Sequence, residues 1–411
     1  MTVGDRLACQ VETLAYGGDG LARVEGRVVF IPGALPGESL RARVTQVKKN
    51  FARAELTDLL APSPSRIAPC CRVTDPDTGT PCRVPGCVYD HLDYAAELHA
   101  KHQQLENFLS RLAQNARVAL LAPFAAPAPL HYRNKIVLHV QRDARRARLG
   151  YRQEPSHRVL DIEACPLACP DINAALAELR GSAPFRALRD ASDVTFRHTP
   201  RDGAVWWRAG EAPAAKVPDL LTEDSPAGPL RVPRDGFYQV NPAVGGALVR
   251  TVAEWFAAEP DASDLLDLYC GVGVFGLACM QAGGTRLTGV ESGRGAIAAA
   301  QLNAQALGVK ARFLCRALGP APCQLRELLP DPTRATAIVD PPREGLSPEV
   351  AQALTASGVR RIFYVACDPA TLARDLAVFL RGGYHLRRAK LFDMFPRTAH
   401  FESLVELGAP A

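Results

Sequence analysis

In the C-terminal part of the chain, apolar residues gather in short unbroken runs instead of alternating with polar ones. Leu265-Leu266-Asp267-Leu268, Leu287-Thr288-Gly289-Val290, Thr336-Ala337-Ile338-Val339 and Arg361-Ile362-Phe363-Tyr364-Val365 each end at or just before a carboxylate, a glycine or a turn dipeptide. Such runs predict strands buried on both faces of a parallel sheet, hence a doubly wound α/β unit. Residues 1–60 read differently. Apolar and polar positions alternate there between glycine turns, as from Val11 to Gly20 and from Val28 to Glu38, which predicts a small β-barrel. Asp93 to Leu121 carries apolar residues at helical spacing among many charges and predicts a long helix packed on the C-terminal unit. Ala61-Pro62-Ser63-Pro64-Ser65 reads as a linker, Leu121 to Leu130 as a connector, and His131-Tyr132-Arg133-Asn134-Lys135 as the opening of a strand.

The ends of the predicted strands carry the candidate chemistry. Cys367 follows the 361–365 run, Asp340-Pro341-Pro342-Arg343 follows 336–339, and Glu402 closes the segment from Phe395. In a doubly wound sheet the carboxyl ends of the strands face the ligand crevice. A thiol, a carboxylate anchor and a second carboxylate are therefore expected at one edge. Each alone is an ordinary structural feature, since a strand-end cysteine is usually a small buried hydrophobe. Their combination behind a cofactor motif changes that weighting. In Asp267-Leu268-Tyr269-Cys270-Gly271-Val272-Gly273 a strand runs into a glycine turn and then a helix, and glycines there let a ligand approach the backbone. Glu291 then ends a second strand, where a ribose hydroxyl pair is commonly gripped.

Phe237-Tyr238-Gln239-Val240-Asn241, Asp267 to Gly273, Asp340-Pro341-Pro342-Arg343, the Cys367 segment and the Phe395 to Glu402 segment follow in an order that resembles the RNA uracil-C5 methyltransferases. The resemblance covers essentially the whole chain. It is to the type with a TRAM domain and an iron–sulfur centre that acts on 23S ribosomal RNA. It implies a class I, Rossmann-like S-adenosylmethionine-dependent methyltransferase domain, an N-terminal OB-like TRAM barrel and a central α+β unit. It divides the chain into a barrel at 1–60, a central domain at 61–93 and 126–232, a helical segment at 94–125 and a catalytic domain at 233–411.

The resemblance also implies a mechanism and its residues. The Cys367 thiolate adds to uracil C6, the resulting enolate carbon C5 takes a methyl group from S-adenosylmethionine, and Glu402 removes the C5 proton so that the thiolate can leave. Asp340 and Gln239 are the substrate anchors. Gln239, Tyr269, Gly271, Gly273, Glu291 and Asp340 are the cofactor set. Many relatives have Ser before and Asn after the catalytic cysteine, where this chain has Ala366 and Asp368. A carboxylate beside a thiolate opposes ionisation, so Asp368 is expected either to point away or to be hydrogen-bonded elsewhere. Arg397 stands where relatives often have His, Gln or Tyr.

The chain has 12 cysteines, and no secretory segment opens it, which points to metal-bound or catalytic thiols rather than disulfides. By resemblance Cys71, Cys82, Cys87 and Cys165 hold a [4Fe–4S] cluster, with Cys70 as substitute for Cys71. A zinc ion satisfies the same ligand count. Arg142, Arg145, Arg146, Arg148, Arg152 and Arg158, interleaved with Tyr151, read as a phosphate-gripping surface. The net charge of +5 over 411 residues suits an acidic partner without demanding one. The longest apolar stretch, Leu268 to Met280, is too short and glycine-rich to span a membrane. The expectation is a cytoplasmic monomer acting on RNA, with 23S rRNA favoured over tRNA. A catalytically silent RNA-binding or folding factor is the alternative.

Overall fold

The computed structural model describes residues 1–75, 78–112, 118–143, 146–153, 156–210, 217–261, 263–319 and 325–410. Strands β1 (Arg6–Leu14), β2 (Gly20–Val24), β3 (Arg27–Ile31), β4 (Ser39–Val47) and β5 (Phe51–Ala61) close into a barrel in the order β1-β2-β3-β5-β4. The alternation of the sequence is the reason. Val11, Ala22, Val29, Ile31, Leu40, Ala42, Ala52 and Ala54 point inward and are buried together, while their neighbours face solvent. A buried pair, Glu38 with Arg66, ties the barrel to the linker that follows it.

Next come a short hairpin, β6 (Arg72–Thr74) with β7 (Pro81–Arg83), and helix α1 (Tyr94–Leu112). The helix is shorter than the predicted helical segment. β8 (Ala119–Leu120) lies parallel to a strand near the C-terminus, and backbone bonds from Leu121 to Ala389 (2.8 Å) and Phe124 to Leu391 (2.7 Å) continue that pairing. Part of the 94–125 segment and of the predicted connector thus covers a sheet edge. Exposed strand edges favour such pairing, and no local pattern announces it.

The middle of the chain forms a five-stranded sheet from β9 (Lys135–Arg142), β10 (Ala147–Arg152), β11 (Val159–Asp161), β12 (Asp193–Thr199) and β13 (Gly203–Arg208). Helices α2 (Pro170–Gly181) and α3 (Ala183–Arg186) lie between β11 and β12 in sequence. Ile136, Leu138, Leu149, Ile172, Leu176 and Phe196 share its core with Cys71, Cys87 and Cys165. A ribbon of β14 (Leu220–Ser225) and β15 (Gly228–Pro233) leads to α4 (Pro242–Ala257), capped by Asn241 through the Val244 amide.

The remaining elements are β16 (Asp264–Leu268), α5 (Val274–Gln281), β17 (Arg286–Glu291), α6 (Arg294–Ala306), β18 (Ala311–Cys315), β19 (Ala335–Val339), α7 (Pro348–Ser357), β20 (Arg361–Ala366), α8 (Pro369–Arg381), β21 (His385–Phe392) and β22 (Glu402–Gly408). Their sheet runs β18-β17-β16-β19-β20-β22-β21-β8, parallel from β18 to β20, with β22 antiparallel to both neighbours. Every residue of β19, β20 and β22 is buried, which is why β19 and most of β20 read as continuous apolar runs, whereas β22 buries Glu402, Ser403 and Glu406 among its apolar residues. The order reverses at β16, because β17 lies on one side and β19 on the other. A crevice is expected at the carboxyl ends of these two strands. Among the described residues no helix is long and apolar enough to cross a membrane.

Candidate active site

The direction of the strands brings the chemistry together. Asp340 follows β19 and Cys367 follows β20, so both stand at the carboxyl edge of the parallel strands. β22 runs the other way, with Ser403 opposite Ala366, so its first residue, Glu402, begins at that same edge. Cys367 is half-buried and Glu402 buried, and Glu402 Oε2 has no hydrogen-bond partner among the described residues.

These groups feel one another. Burial pushes the Cys367 thiol up to about 12, with the Glu402 and Asp340 carboxylates adding to the rise and Arg343 opposing it. Glu402 is held well above the ordinary carboxylate range, chiefly by burial and then by Asp340, again against Arg343. Burial raises Asp340 to about 7. Two carboxyl groups and a thiol in one pocket cannot all ionise readily, so the free protein carries protons here at neutral pH. Asp368 caps α8, its Oδ1 accepting from the Ala370 and Thr371 amides at 2.9 Å each, so this oxygen is hydrogen-bonded to the helix, one of the two arrangements expected from the sequence.

Beside this edge lies a cleft enclosing about 570 Å³, part of it open to solvent. Gln239, Tyr269, Gly271 and Asp340 of the predicted cofactor set line it, together with Phe237, Tyr238, Val272 and Phe275. Gly271 has φ +52, and a Cβ added there would meet no protein atom within 4 Å, so the backbone is bare toward the cleft. Asp267, buried beneath, accepts the Gly276 amide at 2.9 Å and pins the glycine turn to α5. These features fit a nucleoside with a charged tail. Gly273 and Glu291 do not line the cleft. Gly273 (φ +86) makes the turn against Leu277 and Phe313, and Glu291 accepts the Gly293 amide at 2.7 Å and the Gly271 amide at 3.4 Å. Glu291 is thus bonded to the backbone of the turn itself.

The loop from Asp393 to Phe401, which delivers Glu402, rests on buried charge that sequence reading missed. Lys101 of α1 donates to Glu97 (2.7 Å), Asp393 (2.8 Å) and the Phe395 carbonyl (3.2 Å), with all three charged side chains fully buried. Arg397, at φ +68, donates its amide to Glu97 (2.7 Å) and its guanidinium to the Leu92 carbonyl (2.6 Å). Replacing Lys101 with Met removes the buried cation shared by Glu97 and Asp393, leaving Glu97 only its bonds from Arg397. It should cost about 3–5 kcal/mol, which would lower the Tm by roughly 10 °C in a thermal unfolding scan. A Tm within 2 °C of the parent, about 1 kcal/mol or less by the same scaling, would mean the network does not hold the loop.

The cysteines are only partly gathered. The thiols of Cys70, Cys87 and Cys165 lie close enough to Cys71 to act on its ionisation. Tyr151 donates its hydroxyl to Cys165 Sγ at 3.3 Å. Cys82 stands opposite Val73 on the β6–β7 hairpin. A set of buried thiols in a sulfur-only pocket, with the cationic Arg133 near Cys165, fits a soft metal centre. One zinc ion would need its sulfurs about 3.8 Å apart, given Zn–S bonds of about 2.3 Å. Among the described residues the one trio of metal-ligating atoms all within 4.8 Å of one another is Cys169, Asp171 and His198, outside the predicted set.

The arginine surface is less open than expected. Arg142 donates to the Arg186 and Leu188 carbonyls, Arg148 pairs with Asp143 and Arg158 with Asp75. Arg152 lies 4.0 Å from Asp193, and Arg145 lies outside the described residues. These charges hold the central sheet to its loops, which weakens the reading of this hairpin as a phosphate grip.

Comparisons with known proteins agree with this geometry. A family profile described as tRNA (Uracil-5-)-methyltransferase matches residues 229–409, and a TRAM domain profile matches residues 1–57. The 23S rRNA (uracil(1939)-C(5))-methyltransferase RlmD of Acidithiobacillus ferrooxidans is 34% identical, covering 96% of this chain and 95% of the relative. An uncharacterised RNA methyltransferase of Thermosynechococcus vestitus is 30% identical over 98% of each chain. The crystal structure of Pyrococcus abyssi tRNA (uracil-54, C5)-methyltransferase with S-adenosyl-L-homocysteine has the same fold, with a TM-score of 0.73 at 22% identity over 97% of this chain and 99% of that one. With relatives matching from the barrel to the last strand, the chain belongs to the S-adenosylmethionine-dependent RNA uracil-C5 methyltransferase family.

Proposed function

We propose that this member methylates C5 of a uridine in 23S rRNA, with Cys367 as nucleophile and Glu402 as base. The observation that carries the chemistry is the meeting of Cys367, Asp340 and Glu402 at one sheet edge beside the cleft. Support for the substrate comes from relatives named for 23S rRNA that match this chain over nearly their full length, barrel included. In the cytoplasm, acting as a monomer, the chain uses the barrel at 1–60 and the central domain at 61–93 and 126–232 to hold RNA, and the domain at 233–411 to transform it.

S-adenosylmethionine, bound along Gln239, Tyr269 and Gly271, supplies an electrophilic methyl group. Asp340, with a pKa near 7, is able to donate or accept a hydrogen bond and orients the uracil edge with Gln239. Cys367 gives up its proton and bonds to C6, which moves electron density onto C5, and C5 would then bond to the methyl carbon as the S–CH3 bond breaks and the cofactor leaves as its neutral thioether. Glu402 then takes the C5 proton, and the C6–S bond breaks to return the thiolate. Cys71, Cys82, Cys87 and Cys165, with Cys70 as substitute for Cys71, would hold a [4Fe–4S] cluster in a structural role. Cys71, Cys87 and Cys165 share the core of the central sheet with Tyr132, whose hydroxyl donates to the Pro396 carbonyl at 3.0 Å.

The test is incubation of the purified protein with methyl-labelled S-adenosylmethionine and, separately, unmodified 23S rRNA and tRNA, followed by mapping of 5-methyluridine. Label at a discrete 23S uridine is expected. Label confined to tRNA would overturn the substrate assignment, and label in neither would favour an RNA-binding factor.

A further inference from the structure

We propose that Tyr16, on the barrel loop between β1 and β2, is a positioning residue of the methyl-transfer site, acting on the nucleophile through Asp368. The proposal rests on the reading of Cys367 as nucleophile.

The Tyr16 hydroxyl donates to Asp368 Oδ2 at 3.3 Å, joining the N-terminal barrel to the residue beside Cys367. The other oxygen of Asp368 is committed to the α8 amides, so both halves of the carboxylate are occupied. The tyrosine ring packs edge-on against Phe108 of α1 (5.9 Å between centroids) and Phe401 (6.2 Å), the residue before Glu402. One side chain of the barrel thus touches the neighbours of both the proposed nucleophile and the proposed base. The loop is seated firmly. Gln104 donates to the Leu14 and Ala15 carbonyls at 3.4 and 3.2 Å, and Gly18 approaches Val88 so closely that a Cβ there would lie 2.8 Å from it.

The charges around the thiol give this contact its effect. Cys367 lies within the field of Glu402 of β22 and of Asp340 and Arg343 of the loop after β19, with Asp368 its neighbour in sequence, while His400 lies within the field of Arg343 and Asp368. Burial and then Asp368 hold the Tyr16 hydroxyl above its ordinary range, so it stays a neutral donor. A donated proton stabilises the Asp368 carboxylate and draws its charge away from the thiol. Without it, Asp368 keeps its cap but leaves an unpaired oxygen next to Cys367, and the thiolate becomes harder to form.

Tyr16→Phe should slow iodoacetamide alkylation at Cys367, read by mass spectrometry of the Cys367 peptide, by roughly tenfold near pH 8, displacing the pH profile upward by about one unit. In an Asp368→Asn background, where the cap remains but the charge is gone, the same substitution should change alkylation by less than about twofold. Methyl transfer should follow, with kcat lowered and KM for S-adenosylmethionine unchanged. An equal loss in both backgrounds, or no displacement of the alkylation profile, overturns the proposal. A Cys367→Ala enzyme that still methylates overturns the nucleophile reading and the proposal with it, so the two failures are told apart.

Discussion

Cys367→Ala should abolish 5-methyluridine formation, on the order of 10⁴-fold or more below the parent, because removing a nucleophile disables every group arranged to serve it. The change should leave the cofactor cleft intact. Its walls are Gln239, Tyr269, Gly271 and their neighbours, none of them on β20. Equilibrium binding of S-adenosylmethionine should therefore stay within about twofold, well inside the tenfold that 1.4 kcal/mol represents. Loss of a buried thiol costs little packing, since Ala keeps the Cβ, and α8 keeps its Asp368 cap. A second consequence concerns pH. The thiol sits near 12 in the free protein, so turnover of the parent should climb as pH rises from 7 to 9. A group whose pKa is raised gains its reactive, deprotonated form only as pH increases toward that value. A flat profile would mean that bound RNA or S-adenosylmethionine lowers the thiol pKa below 7, and residual methylation in the variant would remove Cys367 from the mechanism.

The edge that gathers these groups was legible in the sequence because parallel strands share their carboxyl ends, so Asp340 and Cys367 had to be neighbours once both runs were read as strands. Glu402 reached the same place for a reason the pattern did not state, namely that β22 is antiparallel and begins where β20 ends. Other features had no local signal. Glu97 and Lys101 lie four residues apart, which on a charged helix reads as a solvated pair. Their burial comes from the Asp393–Phe401 loop laid across α1, a tertiary fact. The same loop explains Arg397. A long cation at positive φ is tolerable there because Glu97 and the Leu92 carbonyl hold it. Tyr16 sat in a glycine turn and looked like an ordinary barrel residue until the barrel's docking brought it to Asp368. The strand at Ala119–Leu120 was hidden for the same reason, since pairing at a sheet edge depends on the partner. Spacing could gather the cysteines into one neighbourhood. It could not tell that Cys82 would stand on a hairpin between Arg72 and Arg83.

Glu402→Gln should stall the reaction after methyl transfer instead of before it. The amide keeps the size and the buried position of the carboxyl but cannot take the C5 proton, so elimination of Cys367 from C6 has no electron pair to drive it. The expected result is a covalent protein–RNA adduct that survives denaturing electrophoresis, with turnover lowered by about 10²–10⁴-fold, the usual worth of a positioned base. Adduct formation itself should not slow. Glu402 is second only to burial in holding the Cys367 pKa high, so its removal shifts the thiol downward and raises the thiolate fraction at a given pH. Single-turnover adduct formation at pH 7.5 should therefore be as fast as in the parent or faster, while product release falls. That split separates a base from a merely structural carboxylate, whose loss would slow both steps together. Should the variant release 5-methyluridine at the parent rate with no adduct, proton removal belongs to another group, and Asp340, the carboxyl that shares the pocket, is the next to replace.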